Sequence, residues 1–281
     1  MRVFLFVISI LAGFVASCSG SPERSQFAPL EGQRAAGVPL DAVFTPPSPD
    51  TIPGDQRGEL IRLGYEVIVH TQEQAKPYVG NALNCTNCHL DAGLDPNAMS
   101  YVGLSRLYPE YRARAGRVVT LEDRINECFE RSLNGKPLPE DSHKLRAIVA
   151  YIDWLSSDVP KSSRVEWRGL SHITSSRPPD PENGKKLFAA RCLFCHGADG
   201  QGTMVAPPLW GPRSFNIGSG MARVSVAASF IKANMPRTRG WALSDEESYD
   251  VAAFLAQQPH PDFQAKAGDW PKGGKPRDTP Y

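Results

Sequence analysis

The sequence predicts a mainly α-helical protein built from two tandem units of the same design. Two Cys-x-x-Cys-His motifs, beginning at Cys85 and Cys192, lie 107 residues apart. Cys128 and Met235 are also 107 residues apart, so each unit places a sulfur side chain 39 residues after the histidine of its motif. An apolar segment with helical spacing then closes each unit. A repeat of this kind indicates two copies of one fold.

Each motif carries the residues that attach a c-type haem. Two thiols add across the porphyrin vinyl groups, and the adjacent histidine coordinates the iron. A single motif could instead be a zinc site or a redox dithiol, but two motifs that each open a cytochrome-sized unit favour haem. The sequence therefore predicts two tandem class I cytochrome c domains with two covalently bound haem c groups. The predicted attachment residues are Cys85, Cys88 and His89 in the first unit and Cys192, Cys195 and His196 in the second.

Residues 1–17 have the pattern of a signal peptide. Arg2 precedes an apolar run that is too short to be a comfortable membrane span. The run ends in small residues directly before Cys18, which is typical of a bacterial lipobox. We therefore expect an exported, periplasmic protein with a lipid on Cys18 that anchors it to a membrane. The alternative is ordinary secretory cleavage, with Cys18 as a spare thiol.

Composition and periodicity divide the rest of the chain into five segments. Residues 18–52 are polar and proline-rich and are expected to form a tether. The two cytochrome c domains are expected at residues 53–160 and 182–262, with a linker at residues 161–181 and a C-terminal tail at residues 263–281. The predicted helices span residues 54–78, 120–133, 142–156, 181–190, 224–234 and 244–257.

The overall charge gives no sign of a polyanionic partner. The 281 residues carry a formal net charge of +1, and the sequence pI is about 7.6. Nucleic-acid binding usually needs a basic face. We therefore expect no nucleic acid among the partners.

Met235 is the predicted distal ligand of the second haem. A neutral thioether favours ferrous iron and suits electron transfer. Pro236 follows it and, with a fixed φ, would stiffen the loop that presents the sulfur. The alternatives are that Met235 fills the core, or that Met204, Met221 or Lys232 is the ligand.

Cys128 is the corresponding candidate in the first unit. Thr120 and Asp123 form the pattern of a helix N-cap and capping box, and Gly135 is placed to end that helix. The alternatives are that Cys128 is a buried inert cysteine, or that another side chain is the ligand. Those rival ligands are Met99, His70 and His143.

Arginines surround Cys128 in the sequence. Arg124, Cys128 and Arg131 are spaced to share one helical face, which should favour the thiolate and bind small oxyanions. Arg114 is a third candidate for the site. Further positive charge is contributed upstream by Arg106, Arg112 and Arg117, although many of these arginines must pair with nearby glutamates.

Three segments of the first unit resemble the bacterial dihaem thiosulfate dehydrogenases. They are Tyr78–Asn81, Leu83–Gly93 and Arg124–Leu138, and the resemblance extends over residues 54–262. That family is similar to the cysteine-ligated haem subunit of Sox cytochromes. It couples two thiosulfates into tetrathionate, and some members run the reverse reaction.

The resemblance implies a division of roles between the two haems. The active-site haem of the family has His/Cys ligation, which maps onto His89 and Cys128. The second haem passes electrons to an external acceptor such as a small cytochrome or another redox protein. It uses a methionine or a neighbouring lysine, and this sequence has Asn234 before Met235, which argues against ligand exchange. The rival functions are tetrathionate reduction and a non-enzymatic dihaem carrier, in which the arginines would form a docking face.

Overall fold

The computed structural model describes residue 44 and residues 46–160 and 167–281. The expected signal peptide, the expected lipidation site Cys18, most of the tether and part of the linker lie outside these residues. Helices dominate the described ranges, and the sheet found there is one two-stranded hairpin. No helix in the described ranges is both long and apolar enough to cross a membrane.

The first unit contains five helices and the hairpin. Asp55 starts its first helix by accepting a hydrogen bond from the Gly58 amide at 3.0 Å. The helix predicted over residues 54–78 is interrupted at His70, where the backbone leaves helical geometry (φ −117°, ψ 45°). The elements are α1 (Gln56–Val69), α2 (Thr71–Gln74), α3 (Leu90–Gly93), β1 (Glu110–Arg112), β2 (Arg117–Val119), α4 (Leu121–Arg131) and α5 (His143–Leu155).

The second unit repeats the order of helix, motif, loop and closing helices. The helix predicted over residues 224–234 has the predicted bounds, the one predicted over 181–190 is one residue longer at its C-terminal end, and the one predicted over 244–257 is one residue shorter at each end. Ser244 caps α9 by accepting from the Glu247 amide at 3.1 Å, while the Glu247 carboxylate accepts from the Ser244 amide. The elements are α6 (Pro181–Arg191), α7 (Leu193–His196), α8 (Val224–Asn234) and α9 (Asp245–Ala256).

In both units the N-terminal helix crosses the C-terminal helix at a glycine. A Cβ on Gly64 of α1 would lie 2.0 Å from a backbone carbonyl oxygen of α5, and a Cβ on Gly184 of α6 would lie 2.0 Å from one of α9. An aromatic side chain follows each carbonyl four residues later, Tyr151 in α5 and Phe254 in α9. Since only glycine permits so close an approach, the same contact fixes the helix pair in both units.

The core of the first unit holds α4 in place. Tyr151 and Phe129 are its largest fully buried side chains. Phe129 follows Cys128 directly in α4, so burial of this ring fixes the helix that carries the predicted sulfur ligand. The second unit has a smaller core between α8 and α9, which includes Ala228 and Val251.

The C-terminal end of α4 differs from the prediction in one detail. Gly135 does close the turn, because its amide donates to the Phe129 carbonyl at 2.9 Å. The left-handed residue, however, is Asn134 (φ 47°). A Cβ on Gly135 would lie 2.0 Å from the Tyr78 carbonyl oxygen. Glycine is therefore required there by close packing rather than by its φ angle.

The two units meet where α4 ends. The buried side chain of Asn216, in the second unit, donates to the Glu130 carbonyl at 2.9 Å. The backbone amide of Asn216 donates to the Arg131 carbonyl at 3.2 Å. Asn81 donates to the Ser132 carbonyl at 2.8 Å. The last carbonyls of a helix have no partner within the helix, and here residues outside α4 satisfy them.

Candidate functional site

The first motif lines a cavity of about 260 Å³. Cys85 begins a short 3-10 helix (Cys85–Asn87), and the Asn87 side chain accepts from the Asn84 amide at its start, at 2.7 Å. The motif thus directs Cys85, Cys88 and His89 to one cavity.

The imidazole of His89 has a fixed orientation. Nδ1 lies 2.8 Å from the Met99 carbonyl oxygen and must donate, since a carbonyl can only accept. The Tyr101 ring stacks on the imidazole with centroids 4.4 Å apart. Burial lowers the pKa of His89 to about 4. The ring is therefore neutral, and Nε2 is left available as a ligand.

Cys128 lines the same cavity from α4. Thr120 caps this helix, accepting from the Asp123 amide at 3.2 Å, while the Asp123 carboxylate accepts from the Thr120 amide at 3.0 Å. Arg124 Nη1 lies 3.0 Å from Cys128 Sγ and donates to it. The Cys128 sulfur, more than any other neighbour, raises the pKa of Arg124. A permanently charged donor therefore faces the sulfur, as the spacing in the sequence predicts.

Two further arginines line this cavity. Arg112 comes from β1 and Arg168 from within the predicted linker. The Glu110 carboxylate accepts from Arg112 Nη1 at 2.9 Å and from Arg168 Nη2 at 2.6 Å. The buried Nε of Arg112 has no hydrogen-bond partner among the residues that the structure describes. One carboxylate thus serves two guanidinium groups, which leaves positive charge for an anionic ligand.

These two arginines are not among the three that the sequence predicts for the site. Arg112 was only one of several upstream positive charges, and Arg168 lies beyond the first unit in the chain. Strand alternation places Arg112 on the face opposite to Tyr111, which is 55% exposed, but the sequence alone would favour burial of the aromatic ring and so gives no signal for Arg112.

Arg131 and Arg114 lie elsewhere, contrary to their predicted place beside Cys128. Arg131 donates twice to the Asp269 carboxylate, at 2.7 and 2.8 Å, and Arg114 Nε lies 3.3 Å from the same group. Neither lines the first cavity. Arg131 is seven residues after Arg124, which places it about 10 Å further along the helix axis. A shared face therefore does not bring both arginines to one cavity.

Of the rival ligands in the first unit, Met99 alone lines the cavity. Its backbone carbonyl is the group that orients His89. The side chain of His70 is 51% exposed and lies 3.8 Å from Glu66, and His143 is exposed at the start of α5. Neither histidine lines the cavity.

The second motif lines a cavity of about 310 Å³. His196 Nδ1 donates to the Pro207 carbonyl at 2.9 Å, and burial lowers the pKa of His196. The neutral ring again leaves Nε2 available. Cys192, Cys195 and Met235 line the same cavity.

The rival ligands in the second unit are placed differently. Met204 is fully exposed and Lys232 donates to the Leu243 carbonyl at 2.7 Å, and neither lines the cavity. Met221 does line it. Asn234, the departure noted beside Met235, is buried and donates to the Asn97 carbonyl of the first unit at 3.0 Å. Its amide thus ties the loop that carries Met235 to the first unit.

Both donor sets fit a covalently attached haem. Each cavity combines two thiols, an imidazole oriented through Nδ1, and a further sulfur on a separate helix or helix end. Cys88 and Leu83 line both cavities, so the two sites adjoin.

Comparisons with known proteins agree with this architecture. Residues 75–160 match the family model described as SoxA/TsdA, cytochrome c domain, and residues 179–255 match the model described as cytochrome C oxidase, cbb3-type, subunit III. The chain is therefore composed of two cytochrome c domains, as predicted, and such domains carry covalently bound haem c.

Close relatives share most of the chain. It is 44% identical over 239 residues to the thiosulfate dehydrogenase of Psychrobacter arcticus, covering 83% of this chain and 73% of that protein. It is 45% identical over 244 residues to the thiosulfate dehydrogenase of Allochromatium vinosum, covering 83% and 90%.

A solved structure has the same fold. The thiosulfate dehydrogenase (TsdBA) from Marichromatium purpuratum, in its "as isolated" form, superposes with a TM-score of 0.72 at 38% identity. The match covers 75% of this chain and 48% of that one, so the chain spans about half the length of that structure.

Proposed function

Because the chain belongs to the thiosulfate dehydrogenase family, we propose that it joins two thiosulfate ions into one tetrathionate ion. The reaction forms one sulfur–sulfur bond and releases two electrons. The sulfur chemistry takes place in the first cavity, and the electrons leave through the second unit. The observation that carries this proposal is Cys128 Sγ, which shares a cavity with His89 and accepts from Arg124 at 3.0 Å.

We propose that each unit holds one haem. Cys85 and Cys88 would form the thioethers of the first, and His89 and Cys128 would hold its iron. Cys192 and Cys195 attach the second, with His196 and Met235 as its ligands. When bound, the two haems accept and pass on electrons one at a time. The hydrogen bonds from Nδ1 of each histidine to a backbone carbonyl support this arrangement, because they fix the orientation of both rings.

Electrostatics bring the two substrate anions together. Two thiosulfate dianions repel one another, and fixed cationic donors lower that barrier. Arg124 is placed to hold one sulfur oxyanion beside Cys128. Arg112 and Arg168 share a single carboxylate, Glu110, and so add positive charge that suits both haem propionates and oxyanions.

Cys128 would hold the iron of the first haem, and its sulfur is also the nucleophile nearest to Arg124. The Arg124 guanidinium donates a charged hydrogen bond to this sulfur at 3.0 Å and so orients it in either role.

Electrons leave the protein from the second unit. The two adjoining cavities give them a short path, because Cys88 lines both. Around the second motif, Phe194 is 89% exposed and Cys195 is exposed. We propose that a small cytochrome or another redox protein docks at this face and accepts the electrons.

The protein is further proposed to be exported to the periplasm and anchored there through a lipid on Cys18. The residues Val15-Ala16-Ser17-Cys18 support this. Cys18→Ala should release soluble holoprotein, and intact-mass analysis should find the mature wild-type chain beginning at a lipidated Cys18. A mature chain that begins elsewhere rules out the anchor.

Thiosulfate-dependent haem reduction tests the function directly. Oxidised holoprotein is mixed anaerobically with thiosulfate alone, and the absorbance of reduced haem and the tetrathionate formed are measured together. We expect both to appear. If thiosulfate leaves both haems oxidised while dithionite reduces them, the protein is a carrier. If only tetrathionate consumption by the reduced protein is fast, the enzyme works as a tetrathionate reductase.

A further inference from the structure

The C-terminal segment, residues 263–281, packs on both units. Its Asp269 side chain is only 5% exposed and lies between two arginines of the first unit. Arg131 donates to both carboxylate oxygens, at 2.7 and 2.8 Å, and Arg114 Nε lies 3.3 Å away. The Tyr281 hydroxyl also donates to this carboxylate. The segment that the sequence predicts to be a tail is thus fixed against the rest of the protein. We call residues 263–281 the C-terminal clasp.

The clasp also covers the faces of both guanidinium groups. Arg131 Cζ lies 4.3 Å from the centroid of the Phe263 ring, and Arg114 Cζ lies 4.5 Å from that of Trp270. The Trp270 amide donates to the Arg114 carbonyl at 2.8 Å. A guanidinium held both by a bidentate carboxylate and by an aromatic ring has little freedom to move. The clasp therefore fixes Arg131 in space.

Fixing Arg131 also fixes the last turn of α4. Arg131 is the final residue of this helix and lies three residues after Cys128. The Cys128 carbonyl accepts the hydrogen bonds that close the helix, from the amides of Ser132 and Leu133. The Asp269–Arg131 pair therefore holds the turn that contains the sulfur.

A negative charge is needed at this position. Without Asp269, the Arg131 and Arg114 guanidinium groups would face each other as like charges in a half-buried site. Burial and then the charge of Arg131 lower the pKa of Arg114, which indicates how close the two cations are. Asp269 balances them and allows both to remain.

We propose that Asp269 is a positioning residue that acts through Arg131 to keep Cys128 in reach of the first haem. The proposal rests on the function proposed above, in which Cys128 is the sulfur ligand. A sulfur that would hold the haem iron, and that would also meet the substrate, requires a helix that does not shift. The clasp supplies that restraint from the far end of the chain.

Asp269→Asn tests the proposal, with Asp278→Asn as its matched control. Asp278 lies in the same segment but pairs with Arg223, at 2.9 Å, and with the Ser225 amide at the start of α8. Both substitutions keep the side-chain shape and remove one charge. Hydrogen exchange by mass spectrometry and electron paramagnetic resonance are measured on each holoprotein.

In Asp269→Asn we expect amides at the C-terminal end of α4 to exchange at least about tenfold faster, as for loss of a charge-assisted hydrogen bond. The thiolate-ligated low-spin signal of the first haem should shrink. The value of kcat should fall while KM stays near that of the wild type. Asp278→Asn should leave α4 exchange and the signal of the first haem unchanged.

Unchanged α4 exchange and an unchanged signal in Asp269→Asn would overturn the proposal. Equal effects in both variants would overturn it too, because the whole segment rather than Asp269 would then be responsible. A wild type that lacks the thiolate signal would instead refute Cys128 ligation, and the exchange comparison would still decide whether Asp269 holds α4.

Discussion

The two cavities share one framework but differ around the sulfur. In the first, Cys128 accepts a hydrogen bond from Arg124, and Arg112 and Arg168 share the single carboxylate of Glu110. In the second, arginines are also present, but two of them pair with aspartates.

Those pairs in the second unit join Arg223 to Asp278, at 2.9 Å, and Arg237 to Asp91 and Asp95, at 2.9 and 3.2 Å. The sulfur there is a thioether, which cannot become an anion. The first cavity thus sets three arginines against two glutamates, because Arg124 also lies 3.6 Å from the Glu127 carboxylate, whereas each of these two arginines of the second unit has an aspartate of its own. We infer from this difference that the sulfur side chain and the sharing of carboxylates set the role proposed for each unit.

Removing Cys128 should have the largest effect. Cys128→Gly should keep both haems, because both Cys-x-x-Cys-His motifs remain, but lose thiosulfate oxidation by roughly two orders of magnitude or more. Turnover with an artificial acceptor measures the loss, and intact mass verifies haem attachment. Near-normal turnover in this variant would show that the sulfur chemistry does not need Cys128 and that another side chain is the ligand.

The next largest effect should come from Arg124, and it should differ from that of the other arginine of α4. Arg124→Ala should raise KM and lower kcat/KM by about ten- to a hundredfold, equivalent to about 1.5–3 kcal/mol for a charged hydrogen bond. Arg131→Ala should leave KM near the wild-type value and instead reduce the free energy of unfolding, since its guanidinium pairs with Asp269 outside the cavity. Steady-state kinetics and denaturant unfolding of both variants check this contrast. Equal increases in KM would contradict it.

Met235→Gly should affect electron exit and leave substrate binding largely intact. Loss of a thioether ligand should lower the potential of the second haem. Potentiometric titration and the methionine-to-iron charge-transfer band measure this. A band that persists in the variant would indicate that the ligand is instead Met221, the other methionine that lines this cavity.

Substitutions at the two glycines where helices cross should have the smallest effect on activity. Gly64→Ala and Gly184→Ala each place a Cβ 2.0 Å from a carbonyl oxygen, and overpacking of this kind costs about 1–3 kcal/mol. We expect similar losses in unfolding free energy and an unchanged KM in both variants. Gly54→Ala is a control, because nothing lies within 4 Å of its added Cβ. A crossing variant as stable as this control would show that the close contact is unimportant.

Local patterns in the sequence predicted the local structure well. The Thr120–Asp123 and Ser244–Glu247 capping boxes and the bounds of α8 depend on neighbouring residues, and the structure confirms them. The Arg124–Cys128 contact was predictable for the same reason, since a spacing of four residues brings side chains together on a helix.

Long-range contacts were not predictable in this way. Arg131 pairs with a residue 138 positions away, and Arg168 reaches the first cavity from within the predicted linker. The sequence pattern of a tail, rich in glycine and lysine, gave no sign that Asp269 would be buried. Such pairings depend on how the two units dock, and no local pattern encodes that.

We propose sulfur chemistry in the first unit and electron exit from the second. This account is tested most directly by mixing thiosulfate rapidly with two oxidised variants and recording haem absorbance. In Met235→Gly, we expect thiosulfate to reduce the first haem at close to the wild-type rate, because the first cavity is intact. In Cys128→Gly, neither haem should be reduced on that timescale, although dithionite reduces both. Rapid reduction by thiosulfate in Cys128→Gly would contradict the account, because sulfur chemistry would then not require the Cys128 thiol.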